Sequence, residues 1–212
     1  NIMVAIIDYG AGNLQSVKKA LDFIGADSVI TDNKDEINAA SHIILPGVGS
    51  FADAMNCIRE RDLEDTIKKA ADGSKYFLGI CLGLQLLFES SEESPGVDGL
   101  GIFKGNIVTI PKDNGLKVPH IGWNSVKLNQ TNGIFEGIKD ESYFYFVHSY
   151  YAANCDESVI ANAEYGATLT AAVQCGNVYG CQFHPEKSGN TGLNILKGFK
   201  DLIYRSEEHT SE

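Results

Sequence analysis

Tyr76-Phe77-Leu78-Gly79-Ile80-Cys81-Leu82-Gly83-Leu84-Gln85-Leu86-Leu87-Phe88 decides the reading of this chain. Tyr76 to Ile80 is an all-apolar run of strand length, and Leu84 to Phe88 reads as an apolar helix. Between them Gly79-Ile80-Cys81-Leu82-Gly83 has the form of a nucleophile elbow with cysteine in place of serine. Such a turn pushes its central side chain out of the sheet. It needs small residues two before and two after that side chain, so that the chain can fold back so tightly. A helix N-terminus beyond it would stabilise a thiolate, and the Leu82 N–H would point to where an oxyanion forms. The bland alternative is a buried cysteine in a core strand with glycines serving packing alone.

Strand and helix patterns alternate outward from the elbow toward the N-terminus. Val4 to Ile7 reads as a buried strand, Ser28 to Thr31 and His42 to Leu45 read as two more strands, and Phe51 to Asp72 carries helical spacing. Asn13 stands where a cap would start a helix with Leu14, Val17, Leu21 and Ile24 on one face, ended by Gly25. Toward the C-terminus short strand candidates crowd together: Asn106 to Ile110, Ser125 to Leu128, Tyr143 to Ala152, Val159 to Ala163 and Leu169 to Gln174. Gly176-Asn177 turns a hairpin into Val178 to Phe183, and a last helix is expected over Gly192 to Ile203. The predicted fold is α/β with three layers: a mostly parallel central sheet flanked by helices, with antiparallel strands added in the second half.

His184-Pro185-Glu186 is the second chemical feature. Pro185 excludes a helix interior, and in extended chain Glu186 would project to the same side as His184 and orient its imidazole. His184 could then take a proton from Cys81 and return it to a leaving group. A surface turn with an incidental histidine is the alternative, and it loses only because the elbow supplies the third member. Pro46-Gly47-Val48-Gly49 follows a strand end, where two glycines allow backbone amides to face a ligand; an ordinary turn is about as good a reading. The glycines of Asp8-Tyr9-Gly10-Ala11-Gly12-Asn13 do not make a dinucleotide site, because the third glycine position is Gln15 and no basic residue is present.

The chain of 212 residues carries a net charge of -11, which disfavours nucleic acid and anionic membrane as partners. Its longest apolar run, Tyr76 to Phe88, is too short to span a bilayer, no leader is visible, and the expected location is the cytoplasm. Cys57, Cys81, Cys155, Cys175 and Cys181 form no C-x-x-C pair, so neither disulfides nor a metal site are expected. Cysteines other than Cys81 are read as small buried hydrophobes. Asn1-Ile2 and the segment 205–212 read as non-native, the latter like a translated sequencing adapter. Removing that tail's one Arg and three Glu moves the net charge only from -11 to -9. The functional domain is placed at residues 3–203.

Taken together, Gly79 to Gln85, His184-Pro185-Glu186 and Pro46 to Gly49 resemble the class I (triad) glutamine amidotransferases across residues 3–203. Ile7 to Asn13, Pro119-His120-Ile121-Gly122-Trp123-Asn124, Val147-His148-Ser149-Tyr150 and His184 to Ser188 are similar to one branch of that family, the glutaminase subunits of imidazole glycerol phosphate synthases. The resemblance implies a triad of Cys81, His184 and Glu186. It implies glutamine binding by Gly49, Gln85, His148, Ser149 and Tyr150, and an oxyanion hole from the Leu82 amide and the Val48-Gly49 segment. It implies no cofactor, and a (β/α)8-barrel cyclase as partner, met by Asn13, Trp123, Tyr145 and Lys187. The bland readings of the last three are core aromatics and a solvated lysine. Two alternatives stay open: a glutaminase serving another pathway, and a protein of similar architecture in which Cys81 senses oxidants.

Overall fold

The computed structural model describes residues 2–112 and 115–202. Its elements in order are β1 (Val4–Ile7), α1 (Leu14–Phe23), β2 (Ser28–Thr31), α2 (Lys34–Ala39), β3 (His42–Leu45), α3 (Phe51–Glu60), α4 (Glu64–Ala70), β4 (Tyr76–Ile80) and α5 (Leu82–Leu86). The second half holds β5 (Ser90–Ser91), β6 (Asn106–Thr109), β7 (His120–Leu128), β8 (Ser142–His148), β9 (Tyr150–Ala153), β10 (Val159–Glu164), β11 (Thr168–Cys175), β12 (Val178–Cys181) and α6 (Gly189–Lys200).

Nine strands form one sheet in the order β2-β1-β3-β4-β12-β11-β10-β7-β8. The pairs from β2 through to β12 are parallel, and those from β12 to β8 antiparallel. A second sheet joins β5, β6 and β9. Side chains alternate along each central strand, which divides the core into two layers. Val4, Ile6, Ile44, Leu78 and Ile80 pack with Val17 and Leu21 of α1 and with Ile195, Leu196 and Phe199 of α6. Ala5, Ile7, Ile43, Leu45 and Phe77 pack on the other face with Ile37 of α2, Met55 and Ile58 of α3, Ile67 of α4 and the leucines of α5. Both faces are covered, which explains why β1 and β4 are apolar throughout and β3 is apolar after His42.

The expected α/β architecture is observed, with local corrections. Phe51 to Asp72 is two helices, separated by Asp62 in the left-handed region at φ 57°. Short α2 escaped the periodicity because only Ile37 is buried, although Asn33 caps it by accepting from Glu36 N–H at 3.0 Å. β7 starts at His120, five residues before the expected strand, since its outward residues Ile121 and Trp123 are apolar and mask the alternation. The stretch Tyr143 to Ala152 is interrupted at Ser149, between β8 and β9, which belong to different sheets. The last helix begins at Gly189, and Ile203 lies outside the described residues, as does the segment 205–212. Asn13 occupies the expected position before α1, but its side chain accepts from Ser16 Oγ at 2.8 Å and caps no backbone N–H. Of the four cysteines read as buried, Cys155 and Cys181 are; Cys57 is half-buried, and Cys175 is exposed at the hairpin end.

The packing around the elbow yields a test. A Cβ on Gly83 would overlap the carbonyl oxygen of Leu45, which is backbone of the central sheet and cannot swing aside. Overpacking of this kind costs about 1–3 kcal/mol. Gly83→Ala should therefore lower the unfolding free energy by that amount, read as a lower urea midpoint with little change in m-value; an unchanged midpoint would mean that α5 can lift off β3.

Candidate active site

Cys81 follows β4 directly and has φ 56°, ψ −112°, a conformation that L-residues with a Cβ rarely adopt. Its N–H is held by Cys181 O at 2.8 Å, so the turn is anchored to the neighbouring strand β12. Gly79 and Gly83 face each other across the turn: a Cβ on Gly79 would come within 2.8 Å of Gly83 O. The elbow is thus observed, and α5 starts at Leu82, immediately after the cysteine. As the first residue of the helix, Leu82 has an N–H without an intrahelical partner.

His184 and Glu186 meet through their side chains, His184 Nδ1 donating to Glu186 Oε1 at 2.9 Å. Both side chains are buried, Glu186 at 1% exposure. The contact is made by a 3₁₀ turn over Pro185–Lys187, and the extended conformation expected from the sequence stops at His184. Proline fits the first position of this turn, where its missing N–H has no acceptor to serve. The buried Ser188 hydroxyl donates to His184 O at 2.6 Å and accepts from Tyr145 N–H at 3.0 Å, tying the turn to β8.

Burial pulls the His184 pKa down, but hydrogen bonds and charge from Cys81 and Glu186 outweigh it and carry it from 6.5 up to about 10. The arrangement therefore favours an imidazolium between the Cys81 sulfur and the Glu186 carboxyl group. Cys81 Sγ also lies 3.7 Å from Val147 O and 3.6 Å from Gln182 Nε2, which donates to it. Gln182 escaped the sequence reading, although its place two residues before His184 was a usable signal. Gln85 Nε2 donates to both Gln182 Oε1 and Tyr150 O at 3.1 Å, so an amide relay ties the elbow helix to β9.

A cleft of about 240 Å³ opens over the thiol. It is lined by Cys81, Leu82 and His184 and by every residue of the expected glutamine set: Gly49, Gln85, His148, Ser149 and Tyr150. Val48 lines it too, with Gly49 at φ +101°. Glu93 is a wall residue that no sequence pattern singled out; its Oε1 accepts from Phe51 N–H at 2.8 Å. The Pro46 carbonyl accepts from the buried Tyr9 hydroxyl at 2.7 Å, and a Cβ on Gly47 would lie 2.5 Å from that oxygen. The Asp8 to Asn13 loop is accordingly a seat for the Pro46 to Gly49 segment. Among the described residues no group of His, Cys, Asp and Glu could hold a metal.

Asn13, Trp123, Tyr145 and Lys187 lie outside the cleft lining. Trp123 and Tyr145 are register partners across β7 and β8 with their rings edge to face at 6.0 Å, and Trp123 is 55% exposed. Lys187 is exposed on the turn that carries Glu186, and Asn13 is half-buried.

The family model for class-I glutamine amidotransferases matches residues 5–201. The chain belongs to this family. It is 50% identical to imidazole glycerol phosphate synthase subunit HisH of Caldanaerobacter subterraneus over 95% of this chain and 98% of the relative. It is 49% identical to the protein of that name in Methanosarcina barkeri, over 94% and 98%. Among solved structures, PurLQS of Thermotoga maritima superposes with TM-score 0.76 at 20% identity over 95% of this chain and 99% of that one. A glutamine amidotransferase of the same organism gives 0.61 at 18%, over 97% and 85%. At such identities these two structures speak for the fold alone.

The electrostatics of His184 carry a prediction. Because its pKa in the folded chain lies above 6.5, the stability it contributes is fully present below pH 6.5 and is lost as pH rises toward about 10. Its ring nitrogens, followed by NMR, should stay protonated through neutral pH. Glu186→Gln, which removes one of the raising contacts, should shift the titration toward neutral and flatten the alkaline loss of stability. An identical titration curve in this variant would show that the carboxylate does not charge the ring.

Proposed function

We propose that this chain is the glutaminase subunit of an imidazole glycerol phosphate synthase, releasing ammonia from glutamine for a cyclase that makes imidazole glycerol phosphate and AICAR in histidine biosynthesis. The observation that carries the chemistry is Cys81 on a strained elbow, in contact with a buried His184 that Glu186 orients. The pathway rests on near-full-length relatives at 47–50% identity that share one name. Glutaminases of other pathways share the fold, and the solved relative PurLQS is only 20% identical. Oxidant sensing would leave Glu186 and the cleft wall of His148, Ser149 and Tyr150 without a task.

The Cys81 thiolate attacks the side-chain carbonyl carbon of glutamine, and the electron pair moves onto the carbonyl oxygen. The Leu82 N–H and an amide of the Val48-Gly49 segment receive that oxyanion, a missing donor costing a hundredfold to a thousandfold in rate, about 2.7–4 kcal/mol. The His184 imidazolium gives its proton to the departing nitrogen, so ammonia leaves and a thioester remains. His184 then takes a proton from water, whose oxygen displaces the thiolate and frees glutamate. Gln85, His148, Ser149, Tyr150 and Gly49 hold the amino acid, and the Glu93 carboxylate suits its ammonium group. No cofactor enters these steps.

The partner we assign is a (β/α)8-barrel cyclase, and the setting is the cytoplasm. Among the described residues no helix is long and apolar enough to cross a membrane. Ile121, Trp123, Tyr143 and Val147 leave an apolar face on the β7–β8 pair, the kind of patch that marks a protein interface. Its member Val147 also lines the cleft, so a partner seated there would border the site of ammonia release. Asn13, Tyr145 and Lys187 extend this interface.

Two measurements on the complex test the reading. Cys81→Ala should abolish glutamine-dependent product while product from added ammonium salt persists; glutamine-dependent turnover in this variant would overturn the triad. Lys187→Ala should leave ammonia-dependent product and electrophile labelling of Cys81 near wild type, yet reduce glutamine-dependent product as free ammonia escapes. Collapse of Cys81 labelling would place Lys187 in support of the triad, and three unchanged readouts would make it a surface lysine only.

A further inference from the structure

His120 and His148 are register partners on β7 and β8, both buried, at 2% and 6% exposure. Their rings meet edge to edge, His120 Nδ1 standing 2.9 Å from His148 Nε2. His148 Nδ1 in turn stands 2.9 Å from the carbonyl oxygen of Tyr150. A carbonyl can only accept, so His148 carries its proton on Nδ1. In the neutral ring Nε2 is then an acceptor, and His120 Nδ1 must be the donor to it. The His120 ring is held on both faces, stacked on Tyr165 at 3.9 Å and on Phe146 at 5.0 Å. In that tautomer the other nitrogen, Nε2, is bare and makes no hydrogen bond to Asn124 Oδ1 at 3.3 Å, the longer of the two contacts giving way to the 2.9 Å one, while Asn124 Nδ2 donates to Ser125 O at 3.0 Å.

Neither the triad nor the cleft lining includes His120, yet His148 and the neighbouring Pro119 both line that cleft. His148 is a second imidazole close enough to His184 for each to feel the other's charge. A second basic ring there could compete for the Cys81 proton or repel the imidazolium. Burial together with the charges of His120 and His184 pushes the His148 pKa down to about 4, against the raising bond to Tyr150, so the ring stays neutral.

Resting on the glutaminase reading above, we propose that His120 is a positioning residue for glutamine hydrolysis. By donating Nδ1–H to His148 Nε2 it engages the last lone pair of that ring, fixes the His148-Ser149-Tyr150 wall against which glutamine lies, and leaves proton exchange with Cys81 to His184.

Two variants separate the hydrogen bond from the packing. His120→Phe keeps a ring between Tyr165 and Phe146 and removes the donor. His120→Asn gives up most of the stack but sets its amide nitrogen where Nδ1 stood. In the complex with the cyclase, His120→Phe should raise KM for glutamine roughly threefold to tenfold, the scale of one lost hydrogen bond, with a smaller change in kcat. His120→Asn should stay near wild type in KM even if its thermal midpoint falls. Product formation from ammonium salt should be unchanged in both, which shows that the complex is intact. The ring ¹⁵N spectrum should show His148 Nδ1 protonated and Nε2 bare in wild type, with Nε2 shifting on loss of its donor in the Phe variant and restored in the Asn variant. Wild-type KM in His120→Phe, or an Asn variant as impaired as the Phe variant, overturns the proposal. If wild type itself hydrolyses no glutamine, the parent reading fails with it, whereas a wild-type turnover that both variants retain condemns this proposal alone.

Discussion

A cysteine held at φ 56° is under steric strain of about 1–3 kcal/mol that only its surroundings can hold in place. Here the surroundings do so from three sides. β4 is paired in parallel on both edges, by β3 and β12, so its end cannot shift along the sheet. The Cys81 N–H is claimed by Cys181, and the leucines of α5 sink into the layer beneath α3. Gly79 and Gly83 are the two positions where any side chain would force these parts away from each other. The cleft, the triad contact and the free Leu82 amide all follow from that one imposed turn.

Around the thiol, charge is arranged economically. The Glu186 side chain is buried and would be costly alone as an ion, but the imidazolium of His184 faces it, and the Cys81 sulfur meets the same ring. A buried group of this kind has room for one paired cation and little further charge. Neutral neighbours complete it: Gln182 gives the sulfur an N–H, and His148 stays uncharged.

The parallel half of the fold was legible because burial on both faces writes itself as apolar runs in β1, β4 and most of β3, and β1 to β4 match their expected bounds to the residue. The triad was legible because strained turns restrict which residues stand beside a nucleophile. Harder to read were elements whose signal is inverted or diluted. β7 carries Ile121 and Trp123 on its open side, so alternation fails as a guide, and α2 buries one residue in six. Glu93 reaches the site from a distant segment, a relation that local spacing does not encode, whereas Gln182 stood unread two residues before His184. Glu186 reached His184 as expected, but by a turn of 3₁₀ type, since both routes bring a residue two positions on within reach of the ring.

The position of β12 in the sheet has a consequence for the order in which this protein is made. β12 fills the slot beside β4, yet Gln182, just past its end, is separated from Cys81 by 101 residues of chain. Until that strand has been made, β4 has an open edge, the elbow lacks its anchoring carbonyl, and His184 has not been synthesised. Closing so long a loop is slow, because its entropy is spent before the pairing rewards it. A nascent chain therefore carries Cys81 as an ordinary thiol while the whole stretch up to His184 is made, and nucleophilic character arrives late, in one step with the closure of the central sheet.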